Sequence, residues 1–238
     1  MIRAITFDFW GTLFRDTDSA RRHELRTRAV AEATGVDPAH AGEALNITTE
    51  VFARHHIDHQ RTLTPEDAVR LTCQTLRVTV SPETAERLAG ILATAILQHP
   101  PVPIDGALDA VQAAARRVPT GIISDTGISP GASLRQLLDR HQFIPHLTAL
   151  TFSDEVGVSK PQAPMFEHAA ETLGVAPADL LHIGDLEPTD IAGIRRLGGT
   201  AALFAGVNTR FLGHTEAEYT FVTWAEFVQR LPELLDGD

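Results

Sequence analysis

The 238-residue chain has the composition of an ordinary globular protein, with 43% hydrophobic and 21% charged residues. Its net charge of −11 argues against a nucleic-acid partner, because phosphate backbones favour basic patches. No apolar run reaches the ~18 residues that suggest a membrane span, no secretion signal is visible, and Cys73 is the only cysteine, so we expect a cytoplasmic protein with no membrane partner.

The first predicted element is a buried strand over residues 2–8, which delivers Asp8 into a Gly-Thr turn. From about residue 17 to 98 the pattern is helical, without a convincing strand. Two helices in this stretch are predicted to start at Thr64-Pro65 and Ser81-Pro82. A capping hydroxyl followed by proline at the first helical position is typical of a helix N-terminus.

A proline-rich linker is predicted at residues 99–103, and after it strands alternate with helices. Such repeated units predict an α/β fold, a Rossmann-like parallel sheet with helices on both faces. Because the first strand must join this sheet, we predict a core domain of residues 1–14 and 100–238 and a small all-helical cap domain of residues 15–99. The later predicted strands are 120–123, 148–152, 180–183, 201–204 and 219–222, and the predicted helices are 105–117, 131–140, 164–173, 189–197 and one ending at Leu235.

Chemically active side chains follow the predicted strands. Ligands of such sheets bind where the strands end, so we expect these side chains to meet in one crevice. Several carboxylates there repel one another unless a cation lies among them, and oxygen ligands suit Mg²⁺. One aspartate after a strand is more often a cap or turn residue, but capping does not explain acids at several strand ends. The residues are Asp8, Ser124, Asp125, Asp185, Asp190 and Lys160, the last being the only lysine among 20 lysines and arginines.

Four motifs carry a resemblance to the haloacid dehalogenase-like (HAD) hydrolase superfamily. That family has a strand ending in D-x-D-G-T-[LV], a second strand ending in Ser or Thr, a lysine before proline, and G-D-x-x-x-x-D. All four occur here in the same order, and the helical insertion after the first motif matches one common subtype. They read Asp8-Phe9-Trp10-Gly11-Thr12-Leu13, Ile122-Ile123-Ser124-Asp125, Lys160-Pro161 and Gly184-Asp185-Leu186-Glu187-Pro188-Thr189-Asp190.

The resemblance implies a role for each matching residue. Asp8 would be the nucleophile, attacking phosphorus to form an aspartyl-phosphate. Lys160 would neutralise charge on the nucleophile and the substrate. The expected cofactor, Mg²⁺, would be held by Asp8, the backbone carbonyl of Trp10 and Asp185, with Asp190 as a further or indirect ligand. The expected phosphate-binding set, which includes the Ser124 hydroxyl and nearby backbone N–H groups, is Phe9, Trp10, Ser124, Asp125 and Lys160.

Trp10 departs from the family pattern, because phosphatases of the family carry a second aspartate there as general acid and base. An indole N–H does not titrate, and general acid–base help is typically worth ~10²–10⁴-fold. One interpretation is a Mg²⁺-dependent phosphatase acting on a small phosphorylated metabolite. Either a cap residue or a substrate group then supplies the proton, or the leaving group needs none, as in aryl, enol and acyl phosphates.

Other interpretations stay open. The 2-haloacid dehalogenases of the family have an aromatic residue at this position, but they use no metal and lack the acidic pair of the last motif. A phosphonatase is excluded, because it needs a cap lysine and residues 1–159 contain none. A catalytically weak or non-catalytic binding protein is the third interpretation, although Asp8, Ser124, Lys160 and Asp185 are intact. The sequence predicts neither the particular substrate nor the oligomeric state.

The first loop and the cap offer candidates to replace the missing acid. His55 and His59 stand one helical turn apart, which is a spacing for a transition metal, although substrate-facing or solvated histidines are the commoner interpretation. Asp16 and Asp18 follow the first loop and are candidate proton carriers, with hinge or helix-cap roles as the alternative. The residues that a closing cap would bring to the substrate are Arg15, Arg54, His55 and His59.

Overall fold

The central sheet has six parallel strands. The computed structural model describes residues 1–236, apart from the side chains of residues 56–58. The strands of the described chain, of which β2 and β3 lie outside the central sheet, are β1 (Ala4–Phe7), β2 (Phe14–Arg15), β3 (Val102–Pro103), β4 (Thr120–Ser124), β5 (Ala149–Phe152), β6 (Leu180–Gly184), β7 (Thr200–Phe204) and β8 (Tyr219–Phe221). The sheet order is β5-β4-β1-β6-β7-β8. Phe7 of β1 pairs with Ile122 of β4 and with Ile183 of β6, so the first strand lies at the centre.

Helices cover both faces of this sheet, as predicted for a Rossmann-like α/β fold. They are α1 (Ser19–Thr34), α2 (Pro38–His59), α3 (Pro65–Leu76), α4 (Pro82–Gln98), α5 (Ala107–Ala115), α6 (Gly131–Arg140), α7 (Ser153–Val156), α8 (Ala163–Leu173), α9 (Ala192–Arg196) and α10 (Trp224–Asp236), with a π-helical turn at Glu187–Ile191 before α9. Successive strand residues face opposite ways: Ile122 packs in one cluster with α5, α6 and α10, and Ile123 packs in another with α8 and α9. Among residues 1–236, no helix is both long and apolar enough to cross a membrane.

Helices α1 to α4 form the insertion between β2 and β3. Thr64 caps α3 in a reciprocal capping box with Asp67, and Ser81 accepts a hydrogen bond from the first turn of α4, so both predicted helix starts are confirmed. The four helices share a buried cluster that includes Val30, Leu45, Val69 and Leu92. Apart from Ile128, every buried member of this cluster lies in these four helices, which supports our proposal that residues 15–99 form a cap domain distinct from residues 1–14 and 100–238.

The chain enters and leaves the insertion through a short antiparallel pair of strands. Phe14 of β2 pairs with Pro103 of β3, and Arg15 pairs with Val102. Residues 99–103 were expected to be a linker, and their last part is instead hydrogen-bonded to the entering chain. A two-residue strand has no periodicity to detect, and proline is tolerated at such an edge. The β2–β3 pair therefore holds the segment that enters the insertion beside the segment that leaves it, next to the loop that carries Trp10.

Candidate active site

Three aspartates at the carboxyl edge of the sheet lie close enough together to share one cation. Asp8 follows β1, Asp185 follows the neighbouring β6, and Asp190 lies in the π-helical turn. One carboxylate oxygen of each lies within 4.8 Å of the others. The ends of adjacent parallel strands meet at the same sheet edge, which is why residues so distant in sequence converge here.

Lys160 lies inside this acid cluster. Its ammonium nitrogen donates to Oδ1 of Asp8 at 2.7 Å, to Oδ1 of Asp190 at 2.5 Å and to the carbonyl oxygen of Ile123 at 3.1 Å. The side chain is only 2% exposed. Burial by itself would lower the pKa of Lys160, but Asp190 and Asp8 outweigh it and raise the pKa, so the ammonium stays charged. All three donors of the ammonium group are therefore used.

The aspartates carry more negative charge than one lysine compensates. Burial, followed by Asp190, raises the pKa of Asp185 to about 6. Burial also raises the pKa of Asp8, against the opposing effect of Lys160. For Asp190 the effect of burial is overcome by Lys160 and His182, so its pKa is lowered. The raised pKa values of Asp8 and Asp185 indicate that Lys160 does not fully balance the buried carboxylates, and this favours a bound cation.

The surroundings of the cluster fit a magnesium ion. The carboxylate oxygens are hard donors of the kind that Mg²⁺ prefers. Asn208 donates to Oδ2 of Asp185 at 2.9 Å, and Gly11 approaches so closely that a Cβ there would lie 2.6 Å from the same oxygen. Thr189 lines the cluster, and its buried hydroxyl has no hydrogen-bond partner among the described residues. This hydroxyl is therefore available to a ligand or to water bound by one.

Asp190 is held by neighbouring protein groups through both of its oxygens. Oδ1 is within hydrogen-bond distance of Lys160 and, at 3.1 Å, of Nε2 of His182, and Oδ2 accepts from the N–H of Leu186 at 3.0 Å. His182 is fully buried, and burial lowers its pKa, so the ring is neutral at pH 7. Its Nδ1 lies 3.0 Å from the hydroxyl of Thr6. This geometry suits the indirect one of the two roles predicted for Asp190 towards Mg²⁺, because protein groups already hold both of its oxygens.

The expected phosphate-binding residues are only partly assembled by their side chains. The buried Ser124 hydroxyl donates to the carbonyl oxygen of Asp125 at 3.1 Å. Oδ1 of Asp125 accepts from the backbone N–H of Lys160 at 2.9 Å and so anchors the lysine loop. The ring of Phe9 stacks on Phe14 in the core, at 4.4 Å between centroids. Position 9 can therefore serve a ligand only through its backbone.

Two cavities meet at Trp10. The inner cavity, of about 220 Å³, contains the acid cluster with Lys160 and Asp125. The outer cavity, of about 370 Å³, lies between the helical insertion and the loop after β4. Trp10 lines both, and Asp125 of the inner cavity is followed in sequence by Thr126 of the outer one. Trp10 thus stands at the entrance from the cap side to the acid cluster.

The candidates to replace the missing acid are not well placed for that role. Asp16 lines the outer cavity and forms an ion pair with Arg22. Burial would raise the pKa of Asp16, but hydrogen bonds from Arg22 and from the N–H of Asp18 outweigh it and lower the pKa, so Asp16 is ionised at pH 7. The rings of His55 and His59 lie 4.6 Å apart, and the described lining of either cavity includes neither. The same is true of Asp18, Arg15 and Arg54.

Sequence reasoning missed two residues that shape the site. His182 is a polar residue inside a buried strand, and that contrast was a usable signal. Asn208 follows β7, so the rule that pointed to the other strand ends would also have pointed to it. They hold Asp190 and Asp185, respectively, in position.

A parallel sheet with buried carboxylates and a lysine at its carboxyl edge, beneath a helical insertion, defines an α/β enzyme with an acidic, cation-favouring site. The family model described as haloacid dehalogenase-like hydrolase matches residues 2–198. The chain therefore belongs to the HAD-like hydrolase family, and it is a hydrolase. This confirms the family that the four motifs predicted.

Known proteins similar to the chain include both a phosphatase and a 2-haloacid dehalogenase, the two enzyme classes between which Trp10 leaves a choice. A glyceraldehyde 3-phosphate phosphatase of Methanopyrus kandleri is 41% identical over 49 residues, which are 21% of this chain and 21% of that protein. A 2-haloacid dehalogenase of Pseudomonas syringae is 17% identical, with a TM-score of 0.71 over 99% of each chain. A magnesium-bound structure from Bacillus subtilis, described as a HAD hydrolase, is 16% identical, with a TM-score of 0.65 over 99% of each chain. These two structures establish the shared fold.

Proposed function

We propose that the chain is a Mg²⁺-dependent phosphatase that acts on a small phosphorylated metabolite through an aspartyl-phosphate on Asp8. The observation that carries the proposal is the buried contact of Lys160 with both Asp8 and Asp190, beside Asp185. A nucleophilic carboxylate, a fixed ammonium and a second acid for a metal are the parts that phosphoryl transfer needs. The phosphatase from Methanopyrus kandleri and the magnesium-bound relative support the same interpretation.

The proposed reaction has two displacements at phosphorus. An oxygen of Asp8 attacks the phosphoryl group, a bond from Asp8 to phosphorus forms, and the bond to the leaving oxygen breaks. Water then attacks the aspartyl-phosphate, which releases phosphate and restores Asp8. Lys160 holds Oδ1 of Asp8 and balances the negative charge that gathers around phosphorus. Mg²⁺, held by Asp8, Asp185 and the Trp10 carbonyl, would supply further charge neutralisation when bound.

The tryptophan at position 10 restricts the substrates in this proposal. Its indole cannot give a proton to the leaving oxygen, and Asp16 is held ionised by Arg22. The leaving groups of aryl, enol or acyl phosphates depart without a proton, so these substrates need no proton donor at position 10 or at Asp16. We therefore propose that the enzyme prefers such substrates to simple alkyl phosphates.

Dehalogenation of 2-haloacids is the second candidate function, and Trp10 is the observation that favours it. A halide leaves without a proton, so an aromatic residue is no handicap, and Asp8 would attack carbon instead of phosphorus. Against it stands the acid pair of Asp185 and Asp190, which a metal-free reaction does not need. A non-catalytic binding protein is the third outcome that the experiment must separate.

Phosphate and halide release together decide among these functions. The purified chain is incubated with aryl, acyl and alkyl phosphates and with 2-haloacids, with and without Mg²⁺, beside the Asp8→Asn variant. Mg²⁺-dependent phosphate release that Asp8→Asn abolishes is the expected result. Halide release without metal supports the dehalogenase, and the absence of both products, with the chain folded by circular dichroism, supports a binding protein.

We also propose a reducing, cytoplasmic location and a small-molecule partner. Cys73 is free and buried, and burial raises the pKa of its thiol, so it lacks the thiolate character of a reactive cysteine. The outer cavity of about 370 Å³ is of a size for a small metabolite.

A further inference from the structure

The outer cavity carries an excess of positive charge in a chain whose net charge is −11. Its ionisable lining consists of Arg22 and Arg26 from α1 and a single carboxylate, Asp16. The rest of the lining is largely apolar and includes Phe52, Leu63 and Ile128. An anion with an organic body fits this combination better than a neutral ligand does.

Arg22 is already satisfied by the protein. It forms an ion pair with Asp16 and donates to the carbonyl oxygen of His99 at 2.8 Å. It is only 5% exposed. Because Asp16 neutralises this guanidinium, Arg22 adds little net charge to the cavity.

Arg26 has only neutral partners within hydrogen-bond distance among the described residues. Its Nε donates to the carbonyl oxygen of Leu92 at 3.0 Å, and one terminal nitrogen donates to the hydroxyl of Ser129 at 3.1 Å. A guanidinium has five N–H donors, so these two contacts leave some unused. Burial, followed by Arg22, lowers the pKa of Arg26 to about 10, so it is still charged at neutral pH. Asp16 opposes this lowering of the pKa from beyond hydrogen-bond distance, but it is already paired with Arg22. The partly buried guanidinium of Arg26 therefore lacks a carboxylate of its own, which is unfavourable unless a ligand compensates it.

The position of Arg26 relates it to the proposed reaction. The same cavity is lined by Trp10, which also lines the acid cluster around Asp8. A ligand that passes Trp10 can therefore place one end at Asp8 and the other beside Arg26.

We propose that Arg26 binds a second anionic group of the substrate, a carboxylate or a further phosphate, while the reacting phosphoryl group lies at Asp8. This inference rests on the proposed function and narrows its substrate to a doubly anionic phosphate ester or anhydride. The carbonyl oxygen of Leu92 and the hydroxyl of Ser129 hold the guanidinium in place, and Phe52 with Leu63 contacts the carbon skeleton. The opposite view is that Arg26 only joins the cap to the core through Ser129.

The test compares phenyl phosphate with para-carboxyphenyl phosphate and para-phenylene bisphosphate in the native chain, Arg26→Met and Arg26→Lys. Arg28→Met is the matched control, since Arg28 lies on the same helix but is exposed and paired with Glu24. The native chain should show the higher kcat/KM on a doubly anionic substrate, and the two such substrates separate a carboxylate site from a phosphate site. In Arg26→Met, KM for the preferred doubly anionic substrate should rise about 10- to 100-fold, while KM for phenyl phosphate stays nearly unchanged. Arg26→Lys should keep part of the preference for the doubly anionic substrate.

Two results of the turnover assay overturn the inference. A native chain without preference for a second anion does so whether or not any variant folds. Equal losses on all substrates in Arg26→Met, with a lowered Tm, show that Arg26 only joins the domains.

If no phosphate is released from any substrate, calorimetric binding of benzylphosphonate and its para-carboxy and para-phosphono analogues replaces turnover. Tighter binding of a doubly anionic analogue that depends on Arg26 then supports the anion site while the phosphatase proposal fails, and equal or absent binding rejects both.

Discussion

The ammonium nitrogen of Lys160 lies 2.7 Å from Oδ1 of Asp8, and both side chains are almost completely buried. In such a setting each charge is tolerated because the other is present. The pair therefore links the stability of this sheet edge to the proposed chemistry. A variant that breaks the pair should affect both.

Lys160→Met should destabilise the metal-free protein by about 3–5 kcal/mol, because it leaves the buried acid cluster without its internal cation. Mg²⁺ should restore part of this loss, since it supplies positive charge to the same carboxylates. Urea denaturation with and without Mg²⁺ measures both effects. Lys160→Arg is the control that keeps the charge and changes its shape. Unchanged stability of Lys160→Met would show that the pair is not structurally important.

Gly11→Ala should weaken Mg²⁺ binding more than an equally strained substitution elsewhere. Gly11 has a φ of +68°, and a Cβ there would lie 2.6 Å from Oδ2 of Asp185. Gly35 has a φ of +71° with nothing within 4 Å, so Gly35→Ala is a matched control. Both variants should lose about 1–2 kcal/mol of stability from the left-handed backbone. Only Gly11→Ala should lower the Mg²⁺ affinity measured by calorimetry; equal affinities would place the metal away from Asp185.

Trp10→Asp should increase the turnover of alkyl phosphates relative to aryl phosphates. The new carboxylic acid can protonate a poor leaving oxygen, and such help is typically worth about 10²–10⁴-fold. The variant also loses the packing of Trp10 on Phe9, which lowers its overall activity. We therefore expect the alkyl-to-aryl ratio of kcat/KM to increase by about 10-fold or more, at the lower end of that range. In the control variant Trp10→Asn, the asparagine has nearly the same shape as the aspartate but no ionisable group. This variant should therefore leave that ratio low. Equal ratios in the two variants would contradict the missing-acid explanation.

Asp16→Asn should destabilise the protein more at neutral pH than in acid. Hydrogen bonds from Arg22 and the N–H of Asp18 overcome the effect of burial and lower the pKa of Asp16 below its ordinary value of 3.8. The unfolded chain therefore binds this proton more readily, so the stabilisation is complete above that value and is lost as the pH falls through the lowered pKa. Urea unfolding of both proteins at neutral pH and near pH 3 measures the difference. A difference that does not change with pH would contradict the assignment.

The sequence could identify most of the acid cluster because its signals are local. A buried apolar run shows where a strand ends, and Asp8 and Asp185 directly follow such runs. The parallel sheet also followed from alternating strand and helix patterns, since each unit is visible by itself.

The remaining parts depend on contacts between distant segments. Thr6 and His182 lie 176 positions apart, and neither residue shows its partner in sequence. The short β2 and β3 pair joins two segments separated by the whole helical insertion. Nothing in the sequence distinguishes Arg26 from a solvent-facing arginine of a helix, and only the packing of α1 against α4 and Ser129 removes it from water.

The central claim is that Asp8 carries the phosphoryl group during the reaction. The most direct test is to mix the enzyme and Mg²⁺ with an acyl phosphate labelled in its phosphoryl group, quench with acid within the first turnover, and map the label by peptide mass spectrometry. We expect the label on the peptide that contains Asp8, with none on the Asp8→Asn variant. Phosphate release by the native chain without a labelled Asp8 peptide, or with the label on another residue, would contradict the aspartyl-phosphate mechanism.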